Sequence, residues 1–119
     1  MTRDQRPDFA TVVIDERKLR DYCLDPAHFR GRHKAKVFRA ALGIEQDEAP
    51  WLANAISAAL PDAQAMVEGK DRFGTCWRTD LLLDRNGRAA GVRAIWIVTP
   101  DDATPRLVTC YVLPRREKG

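Results

Sequence analysis

Apolar and polar residues along the chain change their period once, near Pro61. Before that point the spacing is helical. Val37, Phe38, Ala41 and Leu42 fall at i, i+1, i+4 and i+5, one face of a helix expected from about His33 to Leu42 and ending at Gly43. A second helix is expected over Glu48 to Leu60. Trp51, Leu52, Ala55, Ile56, Ala59 and Leu60 form its apolar stripe, Asp47 and Glu48 suit the dipole at its start, and Pro61 stops it. A shorter helix over Arg17 to Leu24 has Asp15 as its cap and Asp25-Pro26 as its stop. It follows Ala10 to Ile14, a β-branched run that reads as a short strand or an extended lead-in. Ala27 to Arg32 reads as a loop with Gly31 at its turn.

After Pro61 the pattern is that of strands. Ala63 to Val67, Thr75 to Leu83, Val92 to Val98 and Arg106 to Leu113 are strand-like runs. A polar turn, Gly69 to Gly74, separates the first two. Asp84-Arg85-Asn86-Gly87 carries the Asn-Gly hairpin signal, and Thr99 to Asp102 makes the last turn. The expected fold is α+β: two or three N-terminal helices packed on one face of a four-stranded antiparallel meander sheet, the other face open to water. The expectation is a single domain over residues 1–119, with residues 1–9 flexible and 115–119 an exposed tail.

Composition sets the broad class. At 45% hydrophobic and 31% charged over 119 residues, the chain has an ordinary globular mixture and room for one core. The longest uncharged apolar-rich stretch, Ala49 to Leu60, is too short to cross a bilayer, and residues 1–8 have no apolar signal region. Cys23, Cys76 and Cys110 lie far apart with no CxxC pair, which fits a reducing cytoplasm and neither a disulfide scaffold nor a cysteine zinc site. The net charge is only +3, but it is unevenly placed. Arg17 to Arg39 holds eight basic residues against Asp21 and Asp25, whereas Glu45 to Asp62 holds four acidic residues and no basic one. A basic first third suits an anion-binding face, and equally a solvated arginine-rich surface, since fifteen of the twenty basic residues are Arg.

Within the basic segment, Lys34 begins the helical stripe that continues at Val37, Phe38 and Ala41. A cation in a first helical turn is disfavoured by about 0.3–1 kcal/mol, a placement that an anion bound at the helix N-terminus would offset. His33 beside it is of the one side-chain type suited to proton transfer near neutral pH without special tuning. The plainer alternative has Lys34 reaching past the sheet edge into water and His33 exposed at the cap. On the last two strands, Arg93, Ile95 and Ile97 share one face, and Arg93, Thr109 and Tyr111 converge beside Ile95 or Trp96 according to register. An Arg fork beside hydroxyls suits a phosphate, although Thr and Tyr are also ordinary strand residues. Asp80 is expected to pair with Arg78 or Arg93. Cys23, His28 and His33 have no zinc spacing, and no phosphate loop or nucleophile elbow occurs, so neither a metal nor a cofactor is expected.

Lys18-Leu19-Arg20-Asp21-Tyr22-Cys23-Leu24-Asp25-Pro26-Ala27-His28, then Gly31-Arg32-His33-Lys34-Ala35-Lys36-Val37-Phe38, then Leu42-Gly43, resembles a small bacterial domain of unknown function. Val92 to Ile97 and Arg106 to Tyr111 are similar to its later motifs, so the resemblance spans about Leu19 to Tyr111. Cys110 stands where the relatives carry Ala, and His33 where many carry a small or polar residue. Such domains occur alone and at the C-termini of polymorphic toxins, and resemble the barnase/EndoU/colicin/RelE-like ribonucleases. The resemblance implies a metal-independent endoribonuclease that cuts RNA by attack of the ribose 2′-hydroxyl, with a small neutralising protein from a neighbouring gene as partner. The positions that match the family are His28, Lys34, Arg93, Trp96, Thr109 and Tyr111; His33, adjacent, is added as base on its own chemistry, with His28 the other candidate acid or base. The expected catalytic residues are then His33, Lys34, Arg93, Thr109 and Tyr111, and RNA contacts fall to His28, Arg32, Lys36 and Trp96. The competing expectation is a non-catalytic module that binds a protein or nucleic acid through the open sheet face.

Overall fold

Asp15 starts the first helix: its carboxylate accepts the Arg17 backbone N–H at 2.9 Å and clamps the Arg17 guanidinium at 3.0 and 3.1 Å. The computed structural model describes residues 6–114. In it α1 is Glu16–Lys18 and runs directly into a π-helical turn, Leu19–Cys23. The Leu24 N–H closes that turn on the Leu19 carbonyl at 2.7 Å. The wider turn lets Leu19, Cys23 and Leu24 all enter the core while Tyr22 stays at its margin.

The second helix, α2, is Arg32–Leu42, and its buried stripe is Ala35, Phe38 and Leu42. Val37, expected on the inner face, is 44% exposed, because packing Phe38 against the sheet turns its neighbour about 100° aside. The third, α3, is Ala49–Ala59, flanked by single 3₁₀ turns at Gln46–Glu48 and Leu60–Asp62. Pro50 occupies its first turn, where a missing N–H costs nothing. Leu52 and Ile56 are fully enclosed, and each such side chain contributes about 1.5–3 kcal/mol by leaving water.

The strands are β1 (Ala65–Asp71), β2 (Gly74–Arg85), β3 (Arg88–Thr99) and β4 (Asp102–Val112), paired antiparallel in the order β1-β2-β3-β4. The expected α+β meander is therefore present, with the helices N-terminal to the strands. Asn86 and Gly87 turn the β2–β3 hairpin with φ of 53° and 82°, the left-handed pair that matches strand twist. The polar turn expected over Gly69 to Gly74 is shorter: β1 runs on to Asp71 after a register slip between Val67 and Gly69. Ahead of α1, Val13 bridges the outer edge of β4 in parallel, exchanging hydrogen bonds with Pro105 and Leu107 at 2.9 and 3.0 Å.

Alternation divides the sheet cleanly. Ala90, Val92, Ala94 and Trp96 of β3 are buried on the helix side, and Arg93, Ile95 and Ile97 face the other way. Three ion pairs form on that open face: Arg78 with Glu68, Arg93 with Asp80 and Arg106 with Asp102. On the helix side the Trp96 indole N–H donates to the Thr79 hydroxyl at 2.9 Å, both residues being fully buried. Phe9 stands edge-on to Trp77 and Trp96 and is only 3% exposed. Phe9, within the segment expected to be flexible, gains apolar contact from both indole rings. Residues 1–5 and the expected tail at 115–119 lie outside the described residues. Among the described residues, no helix is long and apolar enough to cross a membrane.

Candidate functional site

Lys34 sits in the first turn of α2, and its side chain crosses to the outer edge of the sheet. The ammonium donates to the Tyr22 hydroxyl at 2.8 Å and to the Thr109 hydroxyl at 3.1 Å. It also lies 4.7 Å from the Tyr22 ring centre and 5.8 Å from that of Tyr111. No carboxylate of the described residues pairs with it, and one of its three N–H donors is unused. This is a half-buried cation held by hydroxyl dipoles and aromatic faces.

Two irregularities build the cluster. The β3–β4 register slips between Ile95 and Trp96, leaving Val108 as the extra residue and setting Thr109 opposite Ile95 and Tyr111 opposite Arg93. The second is the close approach of Gly31, which begins α2, to the π-helical turn. A Cβ there would lie 1.9 Å from the Tyr22 carbonyl oxygen. No side chain fits, so Gly31 lets Lys34 reach Tyr22.

His28 closes the loop from the other side. Its Nδ1 accepts the backbone N–H groups of Arg30 and Gly31, both at 3.0 Å, and its ring stands edge-on to Tyr22 at 4.9 Å. That network assigns the proton to Nε2. His28 therefore organises the loop and offers an N–H donor, and it has no free lone pair with which to act as a base. His33 is exposed and lines a hollow of about 290 Å³ together with Lys34, Val37, Tyr111 and Val112. It also lines a larger cleft on the opposite flank of α2, where Arg32 and Lys36 stand exposed.

Arg93 lies outside this direct cluster. It grips Asp80 with two hydrogen bonds of 2.8 and 3.0 Å. That pairing, reinforced by Tyr111, raises the guanidinium above its ordinary range and holds the Asp80 carboxyl below the usual Asp value. Its charge is already neutralised, and it meets Lys34 only through Tyr111. Trp96, expected to contact RNA, is fully buried and its N–H is taken by Thr79, so no base can stack on it in this arrangement.

Cys23 lies beneath the cluster, its Sγ 3.8 Å from the Thr109 hydroxyl. The neighbouring Cys110 thiol, then Thr109 and the Lys34 charge, favour its thiolate, whereas Cys110 beside it is enclosed and pushed upward. Tyr22 was not among the expected site residues. The signal was present, since Tyr22 belongs to the segment that carries the family resemblance. Among the described residues no group of three His, Cys, Asp or Glu side chains is placed to hold a metal.

Comparison with known proteins adds a family and nothing finer. No curated protein and no solved structure matches the chain. The family described as "Domain of unknown function (DUF6883)" matches residues 5–114, nearly the whole chain, and the chain belongs to it.

Proposed function

We propose that this chain binds RNA at the Lys34 cluster and cleaves it without a metal, the carrying observation being a half-buried ammonium with no carboxylate partner among the described residues. An anion is what such a cation lacks. A phosphate oxygen seated there accepts the unused Lys34 N–H, and the Tyr22, Thr109 and Tyr111 hydroxyls are at hand to hold the remaining oxygens. His33, exposed at the rim of the same hollow, takes the proton of the ribose 2′-hydroxyl as that oxygen attacks phosphorus. The P–O5′ bond breaks, the 5′ oxygen takes a proton from Tyr111 or from water, and a 2′,3′-cyclic phosphate and a 5′-hydroxyl result. Arg93 acts behind Tyr111 as a positioning residue rather than as a phosphate ligand. The partner this reading implies is a small neutralising protein that covers the basic flank of α2.

The test is incubation of purified protein with total RNA in EDTA, with product ends identified. Lys34→Met should lower the rate about 10²–10³-fold, the usual cost of removing one charge-stabilising donor. His33→Ala should lower it about 10²–10⁴-fold, the usual worth of a general base. Intact RNA in every sample, with magnesium also tried, would overturn the reading. A binding module working through the open sheet face is then preferred, because Met66 and Leu82 stand there 53% and 74% exposed.

A further inference from the structure

The two flanks of α2 differ. One delivers Lys34 to Tyr22 and Thr109; the other borders a cleft of about 500 Å³, within the about 300–1,000 Å³ typical of small-ligand sites. Leu24, Ala35 and Ile44 form the floor, all of them buried. Arg32, Lys36 and Arg39 stand along the rim. Arg39 faces Glu45 at 3.9 Å, but Arg32 and Lys36 have no acidic partner among the described residues. An apolar floor under an uncompensated basic rim calls for a ligand with an apolar body and an attached anion.

Gln46 narrows the class. One amide N–H group of this cleft-lining side chain is held by the Arg20 carbonyl at 2.8 Å, which leaves it an acceptor and a second donor to offer. An acceptor beside a donor matches the edge of a nucleobase, whereas an alkyl chain would leave both unpaired. His33 borders both this cleft and the hollow over Lys34, so the two open on either side of one residue, as neighbouring sites for a base and its phosphate would.

We propose that the cleft seats the nucleobase adjoining the phosphate held at Lys34, and that the ligand is single-stranded RNA with that base unpaired. This rests on reading the Lys34 cluster as a phosphodiester site. A base lodged in the cleft cannot also pair in a duplex.

The full chain, isotopically labelled, is titrated by NMR with the four 3′-nucleoside monophosphates, with inorganic phosphate and with decanoate. The expected result is movement of the Ala35 and Ile44 methyl signals by nucleotides and not by phosphate. Affinity should fall at least tenfold in Lys36→Glu and in Gln46→Ala, each with an unchanged melting temperature. Still Ala35 and Ile44 signals at millimolar nucleotide overturn the proposal, as does decanoate binding as tightly as any nucleotide, or unaltered affinity in both variants. RNA cleavage by wild type and Lys34→Met, run beside the titration, separates the two readings. Lys34-dependent cleavage without nucleotide in the cleft removes only the cleft, and nucleotide in the cleft with RNA uncut supports the cleft while removing the enzyme.

Discussion

Gly31→Ala should disable the Lys34 cluster without altering any side chain in it. The backbone of Gly31 has φ −92°, ordinary for any residue, so the effect is one of space alone. A Cβ would lie 1.9 Å from the Tyr22 carbonyl oxygen and 2.8 Å from its carbon, where real contacts essentially never fall below 3.0 Å. The start of α2 must therefore retreat from the π-helical turn by 1.1 Å or more. Main chain on both sides leaves no flexible tip to yield. Inserting a carbon into such a contact costs about 1–3 kcal/mol. For a chain of this size that is a fall of about 4–12 °C in Tm, at about 4 °C per kcal/mol. Lys34 rides on the displaced segment, and its 2.8 Å bond to Tyr22 spans the gap that opens. A misplacement of about 1 Å commonly costs about 10²-fold in rate. Thermal unfolding by circular dichroism, with RNA cleavage or binding at 25 °C, reads both effects. A Gly31→Ala protein with wild-type Tm and unchanged amide shifts at Tyr22 and Lys34 would refute the reasoning.

Three further outcomes follow from the packing. Thr79→Val keeps the shape of the core but leaves the Trp96 N–H buried and unpaired, so urea unfolding should show a loss of about 1–3 kcal/mol. Adding Trp96→Phe should then cost less than the sum of the two single changes. Phe9→Ala empties the contact against Trp77 and Trp96, and should cost about 3 kcal/mol. Asp80 has a folded pKa below its ordinary 3.8, so the Arg93 pair stabilises fully above about pH 5 and fades as pH falls through 3.8 and below. Asp80→Asn should flatten the slope of stability against pH between about 5 and 3 while leaving the slope above pH 6 unchanged, as measured by urea unfolding at stepped pH.

Local chemistry made most of the fold legible. Asp15, Gly43, Pro61 and the Asn86-Gly87 pair mark boundaries through their own capping and turn preferences, and the strands alternate without ambiguity from Val92 onward. What was hidden depends on register and rotation. Whether Val37 or Ala35 faces inward is decided by the fit of Phe38 to the sheet, which a helical wheel does not contain. The π-helical turn arises because Leu19, Cys23 and Leu24 all find apolar neighbours, a tertiary cause. At the site, Lys34 and Thr109 were visible as types, and the register slip at Val108 set where they meet. The sequence leaves Asp80 to pair with Arg78 or Arg93, and the choice of Arg93, thirteen residues later, is made only when β2 and β3 pair and set the two opposite each other. Trp96 is an expected RNA contact through the family resemblance alone, and the burial that excludes it is a property of the layers, not of the strand.

The two outer edges of the sheet are treated differently, and this bears on self-assembly. The β4 edge is occupied by Val13, while β1 offers its outer backbone to solvent. The slip at Glu68 breaks that edge into Ala65–Val67 and Gly69–Asp71. A strand from a second molecule can add only about three residues before the ladder jumps out of step, too few to nucleate a growing fibril. Removing Glu68 would join the pieces into one continuous edge, beside the exposed Val67, and shorten the lag before aggregation at high concentration. The irregularity that weakens β1 thus also blunts its edge as a template for a second molecule's strand.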